Sequence, residues 1–310
     1  MTKSINEYND IVFEGHIVEY MQQFVKGQEK ALDLMAYIGH LYTVNLYAKS
    51  LGHDNRDLPK INLMLTGATG FGKTFMIRKL AEALGLPYAR IDCSSITAEG
   101  WKGNNLSSEI AKYVGSTVNG AGIIHLDEFD KIGNNTGHDG DNTRDYNLAL
   151  QQCLLDLLDG DYSGEAENRK LPLDQANNAL VIISGSFQTA RNNELKKHKI
   201  GFNTADDAKL DSKETWKDNL IQSGFMHEFA SRIVISTELE KYNEDQIRQI
   251  IVEGKQSAYN KFKRVLGIEA ELEGVELEQV IKVISESKNG LRDLDSLLFD
   301  KYYKRKRGIS

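Results

Sequence analysis

One stretch restricts this chain more than any other: Gly67-Ala68-Thr69-Gly70-Phe71-Gly72-Lys73-Thr74. It follows KINLML, which reads as a strand, and precedes FMIRKLAEALG, which reads as a helix closed by Gly85. A glycine-rich loop between strand and helix lets successive backbone N–H groups converge on phosphate oxygens, with the positive end of the helix dipole behind them. The full pattern in that context is a phosphate-binding loop, because a merely structural turn has no use for the Lys-Thr pair. Gly67, Thr69, Gly70, Phe71 and Gly72 are therefore expected to surround the phosphates. Lys73 is expected to reach the β- and γ-phosphates, and Thr74 to ligate Mg²⁺.

The pattern around the loop supports a layered α/β fold. YARIDC, AGIIHLD and NALVIISGSF read as further strands, alternating with helices, which implies a parallel sheet covered on both faces. The third strand ends in Asp127-Glu128, placing carboxylates in the crevice where open α/β sheets bind ligands. Asp127 is expected in the Mg²⁺ shell, and Glu128 is expected to orient and polarise the water that attacks the γ-phosphate. His125, inside that strand, reads as a packed, hydrogen-bonded residue. Residues 1–60 read as mostly helical, whereas IGNNTGHDGDNTRD reads as a polar surface loop and RNNELKKHKIGFNTADDAKLDSKE as an insertion. After RIVIST the chain becomes charged and helical. A boundary near Thr237 divides residues 1–237, an α/β domain with an N-terminal helical segment, from a small helical domain at 238–310.

Composition narrows the class. Lys+Arg 38 against Asp+Glu 45 gives a net charge of −7, which argues against broad coating of DNA or of an anionic membrane. The run Lys301–Arg307 is a local basic cluster, a solvated helix end or a contact for an acidic partner or nucleic acid. Cys93 and Cys153 cannot build a disulfide framework, so a reducing, cytoplasmic setting is expected. MTKSINEYND lacks the apolar core of a signal peptide, and no apolar run approaches the ~18 residues of a membrane-spanning helix.

With these motifs in order, the chain resembles the AAA+ ATPases, specifically the ClpX/HslU branch of ring-shaped protein unfoldases. Phe24-Val25-Lys26-Gly27-Gln28 is similar to the segment that contacts adenine in that branch, which assigns Val25 to the nucleotide site. Leu150–Gly160 resembles the helix after the second acidic motif, and Ile182–Phe187 the strand carrying the first sensor. Gly224–Arg232 resembles the arginine-finger segment, with His227 in place of proline, and Gly290-Leu291-Arg292 the second sensor. The resemblance implies an AAA+ P-loop NTPase large domain plus a small helical domain. It also implies Mg²⁺-dependent ATP hydrolysis at the subunit interfaces of a homohexameric ring. Arg232 would reach the γ-phosphate bound by the neighbouring subunit, and Arg292 would touch phosphates in cis. Ser184 or Ser186 would sit near the attacking water. Taken alone, Arg232 also reads as a surface arginine and Arg292 as one half of a helix-surface ion pair.

The same resemblance supplies expectations about work. Gly100-Trp101-Lys102-Gly103 matches an aromatic pore loop, in which Trp101, with Lys102 beside it, grips an extended polypeptide; a tryptophan packed into the large domain is the competing reading. Gly133–Asn147 occupies the place of a second pore loop. Ile200-Gly201-Phe202 reads either as a knob docking on a ClpP-like peptidase or as an anchor for its own loop. With no further cysteines, the N-terminal zinc-binding domain of ClpX has no counterpart in this sequence, and the small domain looks shortened. Protein threading through a central pore is the leading function. An AAA+ ATPase acting on nucleic acid or nucleoprotein, such as a loader or replication accessory, is the alternative.

Overall fold

The computed structural model describes residues 14–52, 60–97, 104–133, 141–163, 165–166, 169–187, 216–267, 271–272 and 274–307. In chain order the main elements are α1 (Glu14–Gln22), α2 (Glu29–Ser50), β1 (Asn62–Thr66), α3 (Lys73–Leu84), β2 (Tyr88–Asp92), α4 (Leu106–Gly115), β3 (Ile123–Asp127) and α5 (Asp141–Asp159). They continue with β4 (Leu180–Gly185), α6 (Trp216–Gln222), α7 (His227–Arg232), β5 (Ile235–Glu238), α8 (Glu244–Glu253), α9 (Ala258–Leu266), α10 (Val275–Glu286) and α11 (Asp293–Arg307). The chain separates into two compact units. One comprises Tyr42–Gly67 and Gly85–Glu238, and the other Met1–Leu41, Ala68–Leu84 and Leu239–Ser310.

The first unit is built on a five-stranded sheet in the order β2-β3-β4-β1-β5, and every pairing is parallel. Strands β3 and β4 are buried along their whole length, which is why they read as apolar runs rather than alternating ones. The edge strands β2 and β5 are only partly buried. Against the sheet residues Ile124, Leu126 and Ile183 pack Ile110 and Tyr113 of α4 and Leu150, Leu154 and Leu157 of α5, all in one core. Phe129 stacks on Phe225 and Phe229, with ring centroids 5.1 and 4.9 Å apart. Helix α4 begins where the Asn105 side chain accepts the Ser108 N–H at 2.9 Å, a cap worth about 1 kcal/mol.

The polar run read as a loop ends earlier than expected. Helix α5 starts at Asp141, so residues 141–147 are helical. Once Leu150, Leu154, Leu157 and Leu158 bury one face of the helix, adding turns upstream costs little, because propagation is far easier than nucleation.

The second unit is helical, with a core of Tyr242, Ile247, Ile251, Tyr259, Ile281, Ile284, Leu294, Leu298 and Tyr302. A capping box starts α8: the Asn243 side chain accepts the Gln246 N–H at 2.8 Å, and the Gln246 side chain accepts the Asn243 N–H at 3.0 Å. In α3, Lys79 is 1% exposed. Its ammonium meets the Glu82 carboxylate at 2.5 Å and lies 4.3 Å from the centroid of the Phe24 ring, which compensates the buried charge.

Candidate nucleotide site

In the helical unit the loop from Ala68 to Gly72 leads into α3, whose first two residues are Lys73 and Thr74. Gly70 and Gly72 have φ of +85° and +91°, a region that favours glycine. At Gly70 the reason is also steric. A β-carbon there would fall 1.9 Å from the carbonyl oxygen of Asn289, so the loop backbone lies directly on the Asn289-Gly290 turn. The Lys73 ammonium donates to the Ala68 carbonyl at 3.0 Å, folded onto its own loop.

Phe71 joins the loop to the small helices. Its carbonyl accepts the Tyr242 hydroxyl at 3.0 Å, and the two rings meet edge-on at 6.0 Å. Burial pushes the Tyr242 phenol up to about 12, so it remains a hydrogen-bond donor at any physiological pH. Phe71, Tyr242, Ile247, Ile284, Gly290 and Leu291 line a small apolar pocket. The Gly290–Arg292 segment forms a single 3₁₀ turn, with Gly290 at φ +56° and Arg292 exposed. The Arg292 guanidinium has no partner among the described residues.

The adenine-segment expectation falls in the same unit. Val25 is buried. The buried Gln28 amide reads the backbone of Glu240 at both ends, donating to its carbonyl at 2.8 Å and accepting its N–H at 3.2 Å. Gly27, at φ +73°, sits against the Gln246 side chain, which donates to its carbonyl at 3.3 Å. The segment is thus bonded to the residues that lead into α8.

In the sheet unit, Asp127 ends β3 and is 5% exposed. Its Oδ1 accepts the Ser184 hydroxyl at 2.6 Å and the Glu128 N–H at 3.0 Å, while Oδ2 accepts Arg90 Nε at 2.7 Å. Burial alone would raise the Asp127 carboxyl, but His125, the Ser184 hydroxyl and Arg90 outweigh it and bring it down to about 2. Glu128 follows in the left-handed region, at φ 53° and ψ 35°, and starts the 3₁₀ turn Phe129–Ile132. Its carboxylate has no partner among the described residues. Ser186 is committed elsewhere: its N–H and hydroxyl both donate to Asp130, at 3.1 and 2.8 Å.

The depressed carboxyl has a pH consequence. The folded pKa of about 2 lies below the unfolded value of about 3.9, so the folded state binds fewer protons between them. Asp127 therefore contributes stability that is present above about pH 4 and is lost as pH falls towards 2. Denaturant unfolding from pH 5 to pH 2 is expected to show a steeper loss for the parent than for Asp127→Asn. The difference should be roughly 2 kcal/mol, and parallel curves would show that the carboxylate gains nothing on folding.

Arg232 ends α7 and turns back on its own unit. Its Nε donates to both carboxylate oxygens of Asp159 at 2.9 and 3.1 Å, and Nη1 donates to the Glu228 carbonyl at 3.1 Å. Asn62, at the start of β1, donates from Nδ2 to the carbonyls of Leu158 and Arg232 at 2.9 and 3.1 Å. That one amide fixes the backbone on both sides of the Arg232–Asp159 pair.

Asp127 in the sheet unit and Thr74 in the helical unit each carry a hard oxygen donor of the kind Mg²⁺ takes. Among the described residues no group of three or more His, Cys, Asp and Glu could hold a metal, and the buried Asp127 carboxylate, held ionised, is chemically suited to a hard divalent ion. Trp101 and Lys102, and Ile200, Gly201 and Phe202, lie outside the described residues, as do residues 134–140 of the suggested second pore loop. Sequence reasoning missed Arg90, Tyr88, Asp159 and Tyr242. The signal for Arg90 was available: a charged residue in the middle of a short strand, two positions before the end, needs a partner on its neighbour. Among the described residues no helix is long and apolar enough to cross a membrane.

The model of the AAA domain (Cdc48 subfamily) matches residues 58–236. The ATP-dependent Clp protease ATP-binding subunit ClpX of Borrelia duttonii is 25% identical over 308 residues, covering 90% of this chain and 70% of that protein. ClpX 2 of Wolinella succinogenes is 28% identical over 276 residues, covering 84% of this chain and 67% of its own.

Proposed function

Because the chain belongs to the AAA domain family (Cdc48 subfamily) and is a ClpX-like AAA+ ATPase, we propose that it hydrolyses ATP with Mg²⁺ to pull protein substrates through the pore of a homohexameric ring. The observation that carries this reading is the Asp127-Glu128 pair: one carboxylate buried and held ionised, the next without a partner among the described residues. That is the division of labour phosphoryl transfer to water requires, a metal-facing acid and an adjacent group to orient the nucleophile. Lys73 and Thr74 serve the phosphates and the metal, Val25 the base, Arg292 the phosphates in cis, and Arg232 a neighbouring subunit's nucleotide. Along the sequence, residues 1–237 make the large ATPase domain and 238–310 the small one, a division by function that differs from the compact units, in which 1–41 and 68–84 group with 239–310. Trp101 and Lys102 form the grip, and Ile200-Gly201-Phe202 is the contact for a ClpP-like peptidase. Free, buried Cys93 suits a reducing cytoplasm.

The test compares stimulation of the ATPase by an unfolded protein with stimulation by single- or double-stranded DNA. Stimulation by the protein supports threading. Stimulation by DNA alone would replace the protein substrate with nucleic acid and give a role to the exposed Lys306 and Arg307 at the end of α11. Trp101→Ala is expected to spare ATP turnover and abolish unfolding of a tagged substrate. Equal loss of both activities, with a lowered melting temperature, would make Trp101 a core residue.

A further inference from the structure

Strands β2, β3 and β4 are neighbours in the sheet, and their side chains form one directed hydrogen-bonded run. The Tyr88 hydroxyl lies 2.8 Å from His125 Nδ1, and His125 Nε2 lies 2.8 Å from Ser184 Oγ. Ser184 then donates to Asp127 Oδ1 at 2.6 Å. His125 and Ser184 are both 0% exposed, in strands whose other residues are almost all apolar. Polar groups in such places cost stability unless bonded.

The polarity of the run follows from counting protons. A serine hydroxyl carries one, and Ser184 spends it on Asp127, so its oxygen can only accept from His125. Nε2 must therefore carry hydrogen, whatever the state of Nδ1. We propose that His125 and Ser184 are positioning residues for Asp127: the imidazole Nε2–H aims the Ser184 proton at Oδ1, and this fixes the rotation of the carboxylate towards Mg²⁺. The inference rests on the reading of Asp127 as a Mg²⁺ ligand. A carboxylate torsion is intrinsically broad, so it needs an outside anchor. Arg90 holds the other oxygen, but its side chain is 43% exposed and long. Without Ser184 the carboxylate would lose the buried hydroxyl that holds Oδ1, while Arg90 and the Glu128 N–H would remain.

The experiment measures affinity for a fluorescent ADP analogue with Mg²⁺ and with EDTA. In Ser184→Ala the gain in affinity that Mg²⁺ confers should fall about 10-fold, the usual effect of removing an outer partner of a metal ligand. Affinity in EDTA should stay unchanged, and Ser184→Thr should restore the gain. His125→Phe should follow Ser184→Ala, and if it fails to fold, the serine pair decides alone. Histidine ¹⁵N spectra of the parent should show His125 protonated at Nε2. A bare Nε2, or a folded Ser184→Ala protein with the parent's Mg²⁺ dependence, overturns the inference. Asp127→Asn separates the two layers. If it too keeps the parent's Mg²⁺ dependence, Asp127 is no metal ligand; if it loses that dependence while Ser184→Ala keeps it, only the positioning role fails.

Discussion

Glu128→Gln is expected to bind ATP as the parent does and to hydrolyse it about 10²–10⁴-fold more slowly, the range a positioned general base supplies. Glutamine preserves size and keeps an oxygen, so what disappears is the charge that polarises water. The local backbone supports this assignment. A non-glycine residue in the left-handed region costs of order 1 kcal/mol or more and persists only where its surroundings impose it. At Glu128 the peptide is held on both sides: its N–H donates to Asp127 Oδ1 at 3.0 Å and its carbonyl accepts the Lys131 N–H at 3.0 Å. One carboxylate therefore orients the peptide that carries the next. Nucleotide binding by filter or fluorescence assay, beside a phosphate-release assay, checks the prediction. Unchanged turnover would remove Glu128 from the chemistry.

Arg232→Ala is expected to cost about 10³-fold or more in turnover, the scale on which an arginine finger acts. Within its own chain Arg232 is parked on Asp159 in a partly exposed pair. Pairs of that kind are worth about 1 kcal/mol or less, whereas a charge-assisted bond from guanidinium to phosphate contributes about 1.5–3 kcal/mol. Leaving Asp159 for a phosphate is thus favourable, while the backbone stays clamped by Asn62. Arg232→Lys should rescue poorly, because a lysine cannot present the planar fork. Mixing Arg232→Ala with Lys73→Ala subunits tests where the residue acts. Recovered turnover requires an intact loop and an intact arginine from different subunits, and no recovery would confine Arg232 to its own nucleotide.

The phosphate loop, the strands at β1 to β4 and the Asp127-Glu128 pair were legible from residue order alone. Each is a local pattern: glycines where the backbone must turn, a Lys-Thr pair at a helix start, acids after a buried apolar run. Their chemistry depends on spacing along the chain, which the sequence states directly. What surrounds Asp127 was not legible in that way. Arg90, His125 and Ser184 come from three strands separated by long connections, and only the parallel register sets them around one carboxylate. The resting place of Arg232 on Asp159 and the seat of Gly70 on the Asn289-Gly290 turn are likewise products of packing between distant segments. Sequence alone determined which residue types stand at the glycine loop and at the end of the acidic strand, the groups proposed to serve phosphate and water. Tertiary structure decided which of them are held, and by what, because hydrogen bonds and ion pairs act over a few ångströms in space irrespective of how far apart their partners lie along the chain.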